Sequence, residues 1–167
     1  MVVLYANTTA RDAAVQLCDN LAKKFGSEMD FEFTWWGFKY LCDEEIGKQA
    51  ASAALAGDLI LVAIEREEDL PLEVKAWFEK WLSDRESSEG ALVVLRGSAE
   101  TKIPAQSRDP YLQLVALRAR LDYLPLSEGN LNANGNGLSD NFKLPGVVDF
   151  NAGPRQEDHY TGWGIND

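Results

Sequence analysis

The chain has a single histidine and only two cysteines in 167 residues. That scarcity excludes a histidine-built metal centre, a Ser-His-Asp triad within the folded part and a disulfide-stapled scaffold. No apolar run approaches the roughly 18 residues needed to span a bilayer, and no basic stretch followed by an apolar one opens the sequence. Positive charge is also in short supply. Sixteen Lys+Arg stand against 27 Asp+Glu, a net charge of −11, which opposes both a phosphate backbone and an anionic membrane surface. The phosphate-cradling patterns G-x-x-x-x-G-K-[ST] and G-x-G-x-x-G are missing, so nucleotide binding has no motif behind it. The expectation is an acidic, cytoplasmic protein with neither nucleic acid nor membrane as a partner, and with no cofactor and no metal.

What the sequence does have is apolar patterning. Hydrophobic residues make up 46% of the chain, enough for a core that needs no metal or disulfide at this length. Strand-length apolar runs alternate with helical periods, which argues for a parallel sheet with helices on its faces. The strands are expected at 2–6, 31–36, 58–64, 91–95 and 123–126. The run Asp58-Leu59-Ile60-Leu61-Val62-Ala63-Ile64 is the most continuous and reads as the central strand, buried on both faces. In contrast, Phe31, Phe33 and Trp35 alternate with Glu32, Thr34 and Trp36, the pattern of a half-exposed edge strand.

Helices fall between these runs. Ala14, Leu17, Cys18, Leu21 and Phe25 recur at three- and four-residue spacing after the candidate caps Asn7, Thr8 and Thr9. Phe38, Leu41, Cys42, Ile46, Ala50 and Ala53 mark a second helix, so both cysteines are expected to be buried on helices. Val74, Trp77, Phe78, Trp81 and Leu82 form the stripe of a third. Asp109-Pro110 reads as an N-cap with an N1 proline opening a fourth helix through Tyr111, Leu114, Val115, Arg118 and Leu121. The expected fold is α/β: a three-layer, doubly wound, five-stranded parallel sheet in the order 2-1-3-4-5, occupying residues 1–126. Residues 127–167 form a separate tail that holds 7 of the 13 glycines and 7 of the 9 asparagines. Its composition predicts an extended segment rather than a second domain.

In such a sheet a ligand sits beyond the carboxyl ends of the strands, at the point where the strand order reverses. The loops meeting there begin at Asn7 and at Glu65. The candidate ligand residues are therefore Asn7, Thr8, Thr9, Glu65 and Arg66. Asn7-Thr8-Thr9-Ala10-Arg11 resembles the phosphate loop of flavodoxins in its threonines but lacks the glycine, and the loops after the third and fourth strands lack the aromatic residues that would stack on a flavin. The same order resembles the receiver domains of two-component signalling. That resemblance implies an acidic pair, a phosphorylatable Asp, a Ser/Thr and a Lys at the strand ends. The chain offers Ala6-Asn7, Ile64-Glu65, Arg96-Gly97 and Tyr123-Leu124-Pro125-Leu126 at those places, a degenerate set in which Glu65 alone is acidic. Leu70-Pro71, Trp77 with Trp81, and Trp163-Gly164-Ile165-Asn166 resemble a group of short bacterial proteins of unassigned role, a likeness that implies no activity.

With the catalytic sets missing, the sequence favours a non-catalytic protein-interaction module. Another protein is its expected partner. Trp36, at a sheet edge, and the spaced apolar tail residues Phe142, Phe150, Tyr160, Trp163 and Ile165 are the expected contact residues. The competing reading is a small-ligand binding protein, for a flavin or a nucleotide, that uses the loops after strands one and three.

Overall fold

The computed structural model describes residues 1–65, 69–85, 89–97 and 109–127. Eleven elements follow in chain order. They are β1 (Val2–Tyr5), α1 (Thr8–Phe25), β2 (Thr34–Gly37), a 3-10 turn at Phe38–Tyr40, α2 (Glu44–Ala56), β3 (Leu59–Ile64), α3 (Leu72–Trp81), a 3-10 turn at Leu82–Asp84, β4 (Ala91–Arg96), α4 (Pro110–Ala119) and β5 (Asp122–Ser127). The strands make one parallel sheet in the order β2-β1-β3-β4-β5. The expected architecture and strand order are those of the structure.

Alternation along each strand sorts the core into two layers. Val2, Leu4, Ile60, Val62, Ile64, Leu92 and Val94 point to the face covered by α2, α3 and α4. Val3, Leu59, Leu61, Ala63, Ala91, Val93 and Leu95 point to the opposite face, which α1 covers. β3 is buried along its whole length, as a central parallel strand must be. α3 fills its layer with aromatic volume: Trp77 and Phe78 meet edge to face at 5.1 Å, and Trp77 and Trp81 at 5.5 Å. The Trp77 indole donates to the Gly47 carbonyl of α2 at 2.8 Å. A side chain on Gly47 would collide with the Leu41 carbonyl, so glycine is what lets the turn and α2 approach one another there.

Two expectations are corrected. α2 begins six residues later than the apolar spacing suggested, because Asp43 accepts from the backbone N–H groups of Glu45 and Ile46 and fixes the helix start. Phe38 and Leu41 are buried from a 3-10 turn instead, which imitates helical spacing over a short stretch. Cys42 therefore lies between that turn and α2 and is exposed, while Cys18 is buried on α1. The second strand is also shorter than expected. Phe31 and Phe33 precede it and stack at 5.7 Å, packed with Trp35 against the α1 layer.

The amino-terminal end of the sheet is closed by a buried cation. Arg85 is 8% exposed and donates to the carbonyls of Ala54 (2.7 Å), Gly57 (3.1 Å) and Glu89 (3.1 Å). It thereby satisfies acceptors that the end of α2 leaves open. Burial pulls its pKa down and Asp58 opposes the shift. Next to it Gly90 has φ +128°, a conformation L side chains rarely adopt, and any Cβ there would strike the Asp58 carbonyl.

Candidate functional site

β1 and β3 end side by side, and their loops face each other across the point where the strand order reverses. After β1 the chain has two residues, Ala6 and Asn7, before α1 starts. The Ala6 N–H donates to the Ala63 carbonyl at 3.0 Å, which ties this short loop to β3. Asn7 is the N-cap: its Oδ1 accepts from the Ala10 N–H at 2.9 Å. Its Nδ2 donates to Glu65 Oε1 at 2.8 Å. One side chain thus caps α1 and bridges to the loop after β3.

Thr8 and Thr9 do not cap the helix. They occupy its first turn and are exposed. The reason is positional: only Asn7 has the extended backbone, φ −152° and ψ −176°, that aims a cap side chain back at the helix. The first turn holds no acidic residue of its own, and Glu65, held by the cap residue Asn7, brings a negative charge to this positive end of the helix dipole.

The polar line continues through β4. Arg96, its last residue, donates to Asp109 Oδ2 at 2.9 Å, and both side chains are largely buried, at 14% and 11% exposure. Arg96 also reaches the Glu65 carbonyl at 3.4 Å. Asp109 uses its other oxygen to cap α4, accepting from the Tyr111 and Leu112 N–H groups at 3.0 and 3.2 Å. Tyr123, beside this pair on β5, has its phenol pKa raised by burial. Asn7, Glu65, Arg96 and Asp109 therefore form a chain of polar groups across the carboxyl ends of β1, β3 and β4 to the start of α4.

The sequence pointed to Asn7 and Glu65 and read Asp109 as a cap, but it did not select Arg96. A lone arginine at the end of a buried strand was the available signal, because an unpaired cation is not left there. Arg66 lies outside the described residues, as do Phe142, Phe150, Tyr160, Trp163, Ile165 and the single histidine, His159. Trp36 is half-buried and packs on the α2 side of the sheet. Its indole N–H is buried with no hydrogen-bond partner among the described residues.

The chemistry of this arrangement is positional. Among the described residues at the carboxyl ends of β1, β3 and β4 no thiol, histidine or lysine is available as a nucleophile or proton carrier. Glu65 and Asp109 are each engaged by a donor. No group of three or more His, Cys, Asp or Glu side chains that could hold a metal ion occurs among the described residues. In the two-residue loop after β1 the Ala6 N–H is already committed to the Ala63 carbonyl, which leaves fewer backbone donors there for a phosphate. On the outer seam, Tyr111 donates to the Lys75 carbonyl at 3.0 Å and Arg118 pairs with Glu79 at 2.7 Å, joining α3 to α4. Burial first, then the Glu79 charge, pushes the Tyr111 phenol up to about 12. No described helix is long and apolar enough to cross a membrane.

No protein-family model matches the chain, and no curated protein matches it in sequence. Among solved structures, a flavodoxin from Streptococcus pneumonia TIGR4 is similar at 17% identity and TM-score 0.49, over 75% of this chain and 84% of its own. An oxidoreductase from Corynebacterium diphtheriae is similar at 12% identity and TM-score 0.58, over 75% of this chain and 78% of its own. The likeness to the oxidoreductase is one of fold. With the strand order 2-1-3-4-5 and helices on both faces, the chain has a flavodoxin-like α/β fold.

Proposed function

We propose that this chain is a non-catalytic protein-interaction module, a degenerate receiver-like domain that acts through its surface and the residues after β5. The observation that supports this reading is the 2.8 Å hydrogen bond between Asn7 and Glu65. The two side chains placed to receive a ligand at the switch point hold each other, and the next pair, Arg96 and Asp109, does the same. Such a line makes the carboxyl end of the sheet rigid rather than reactive. The test is capture of a partner by the immobilised full chain, repeated with the purified partner. Tyr160→Ala/Trp163→Ala/Ile165→Ala is expected to abolish capture and leave the thermal transition unchanged. Capture that survives the triple substitution and is lost with changes at Asn7 or Glu65 would overturn the assignment.

A second reading draws on the exposed first turn of α1 and on the likeness in fold to an oxidoreductase. The exposed first turn at Thr8 and Thr9 suits an anionic group, since helix N-termini favour negative charge. On this reading the chain binds a small anionic ligand, a nucleotide or flavin, with Asn7, Thr8, Thr9, Glu65 and Arg66. A visible absorption spectrum of the freshly purified protein separates the two: flavin colour would displace the first reading.

A further inference from the structure

We propose, resting on the interaction-module reading above, that the outer face of α4 over Pro110, Leu114 and Leu117 receives an acidic amphipathic peptide or helix of another protein. Helices that cover a sheet are apolar inward and polar outward. Every exposed position of α1 is polar or charged, and in α2 only the last residue, Ala56, departs from that. α3 mixes exposed Leu72 and Ala76 with Glu73, Glu79 and Lys80. α4 inverts the rule. Its exposed positions are Pro110, Leu114, Leu117 and Arg118, with Leu114 48% and Leu117 74% exposed, although its inner face already buries Leu112, Val115, Ala116 and Ala119. Spacings of four and three put Pro110, Leu114 and Leu117 on one stripe. A helix that is apolar on both faces is one that works covered on both.

Charge selects the occupant. The chain carries 27 Asp+Glu, yet residues 110–121 contain none, whereas α1, α2 and α3 contain two each. Cations stand at the carboxyl end of the stripe instead. Arg118 lies on the α3 side, paired with Glu79 at 2.7 Å. Arg120 follows just beyond the helix, exposed and in no ion pair among the described residues. Its backbone sits at φ 56° and ψ 41°, the left-handed helix stop at which glycine is the usual residue. Arginine is strained there, and what it supplies in return is a positive charge beside the stripe. A second copy of the chain is a poor match. Ten residues at about 1.5 Å each give a stripe about 15 Å long and one helix wide, too small for the roughly 800 Å² per partner of a stable dimer. Pairing two such faces would also set arginines against a helix without carboxylates, between two chains of net charge −11. A peptide with apolar residues at three- and four-residue spacing and Asp or Glu beside them complements both the leucines and the arginines.

Selection of a displayed library of random amphipathic helical peptides on the immobilised full chain tests it. Enriched peptides are expected to combine that apolar spacing with a net negative charge. The affinity of their synthetic copies, read by fluorescence anisotropy, is expected to fall at least about tenfold with Leu114→Glu/Leu117→Glu and to weaken as salt is raised. Arg120→Gly is expected to weaken binding by about threefold or more while raising the thermal midpoint of the free chain, because glycine suits the left-handed stop; unchanged binding in that variant would overturn the choice of an acidic partner. No enrichment, enrichment of basic peptides, or binding indifferent to the leucine substitutions would overturn the proposal. Self-association in sedimentation that Leu114→Glu/Leu117→Glu abolishes would overturn it too, in favour of a second copy. Tyr160, Trp163 and Ile165 stay intact throughout, so failure at α4 is distinguishable from failure of the capture experiment.

Discussion

On one face of the sheet Trp77, Phe78 and Trp81 fill the space beneath three helices; on the other, α1 brings Ala10, Ala13 and Ala14 down onto Val3, Leu61 and Ala63. The same strands supply both layers through alternate residues. The difference lies in how the space is filled. Small side chains let one helix lie close against the strands, whereas three helices side by side leave deeper gaps that only aromatic volume closes. The aromatic layer also needs polar anchoring, which the Trp77–Gly47 hydrogen bond provides. Each face should thus fail in its own way: one by losing volume, the other by gaining it.

Trp77→Ala is the harshest way to break the contrast. Emptying that site should cost about 3–5 kcal/mol, read from urea unfolding midpoints, and a loss below about 1 kcal/mol would mean the layer can collapse around the gap. On the α1 face the sign of the volume change reverses. Ala14 is fully buried, so Ala14→Leu should destabilise by about 1–3 kcal/mol through overpacking, while the same substitution at exposed Ala56 should change little. Smaller still is the polar anchor itself. Trp77→Phe should cost about 1 kcal/mol more than Trp81→Phe, because the Trp81 indole N–H has no partner among the described residues.

The α1 face also carries the titratable thiol. Burial, then Asp19, pushes Cys18 up from 9.0 to about 12. The neutral thiol is favoured in the folded state, so its stabilisation is complete below pH 9 and is lost as pH rises toward 12. Cys18→Ala should therefore flatten the fall in stability across that alkaline window, leaving the contribution of Tyr111, whose raised phenol acts with the same sign. At neutral pH a thiol reagent should label exposed Cys42 at once and Cys18 only on unfolding; rapid labelling of both would show that the α1 layer opens.

How much of this was legible in the sequence depends on distance along the chain. Leu59–Ile64 announced a central strand because burial on both faces leaves no polar position. Asp109-Pro110 announced a helix start because capping is local chemistry. Local chemistry misled at Phe38–Ala53, where a 3-10 turn and a helix share one apolar spacing and only the Asp43 cap separates them. Asn7 was legible as a cap but not as the partner of Glu65, since that bond joins residues 58 apart and depends on β1 lying beside β3. Arg96 with Asp109, and Arg85 with the end of α2, were hidden for the same reason.

Arg85 has a consequence for how the protein breathes. One guanidinium holds the last turn of α2, the Gly57 link between α2 and β3, and the approach to β4. None of the three can peel away alone without stranding a cation among carbonyl groups or carbonyl groups without their cation. They should open as one cooperative unit, so that amides at the start of β3 and of β4 share a single exchange free energy.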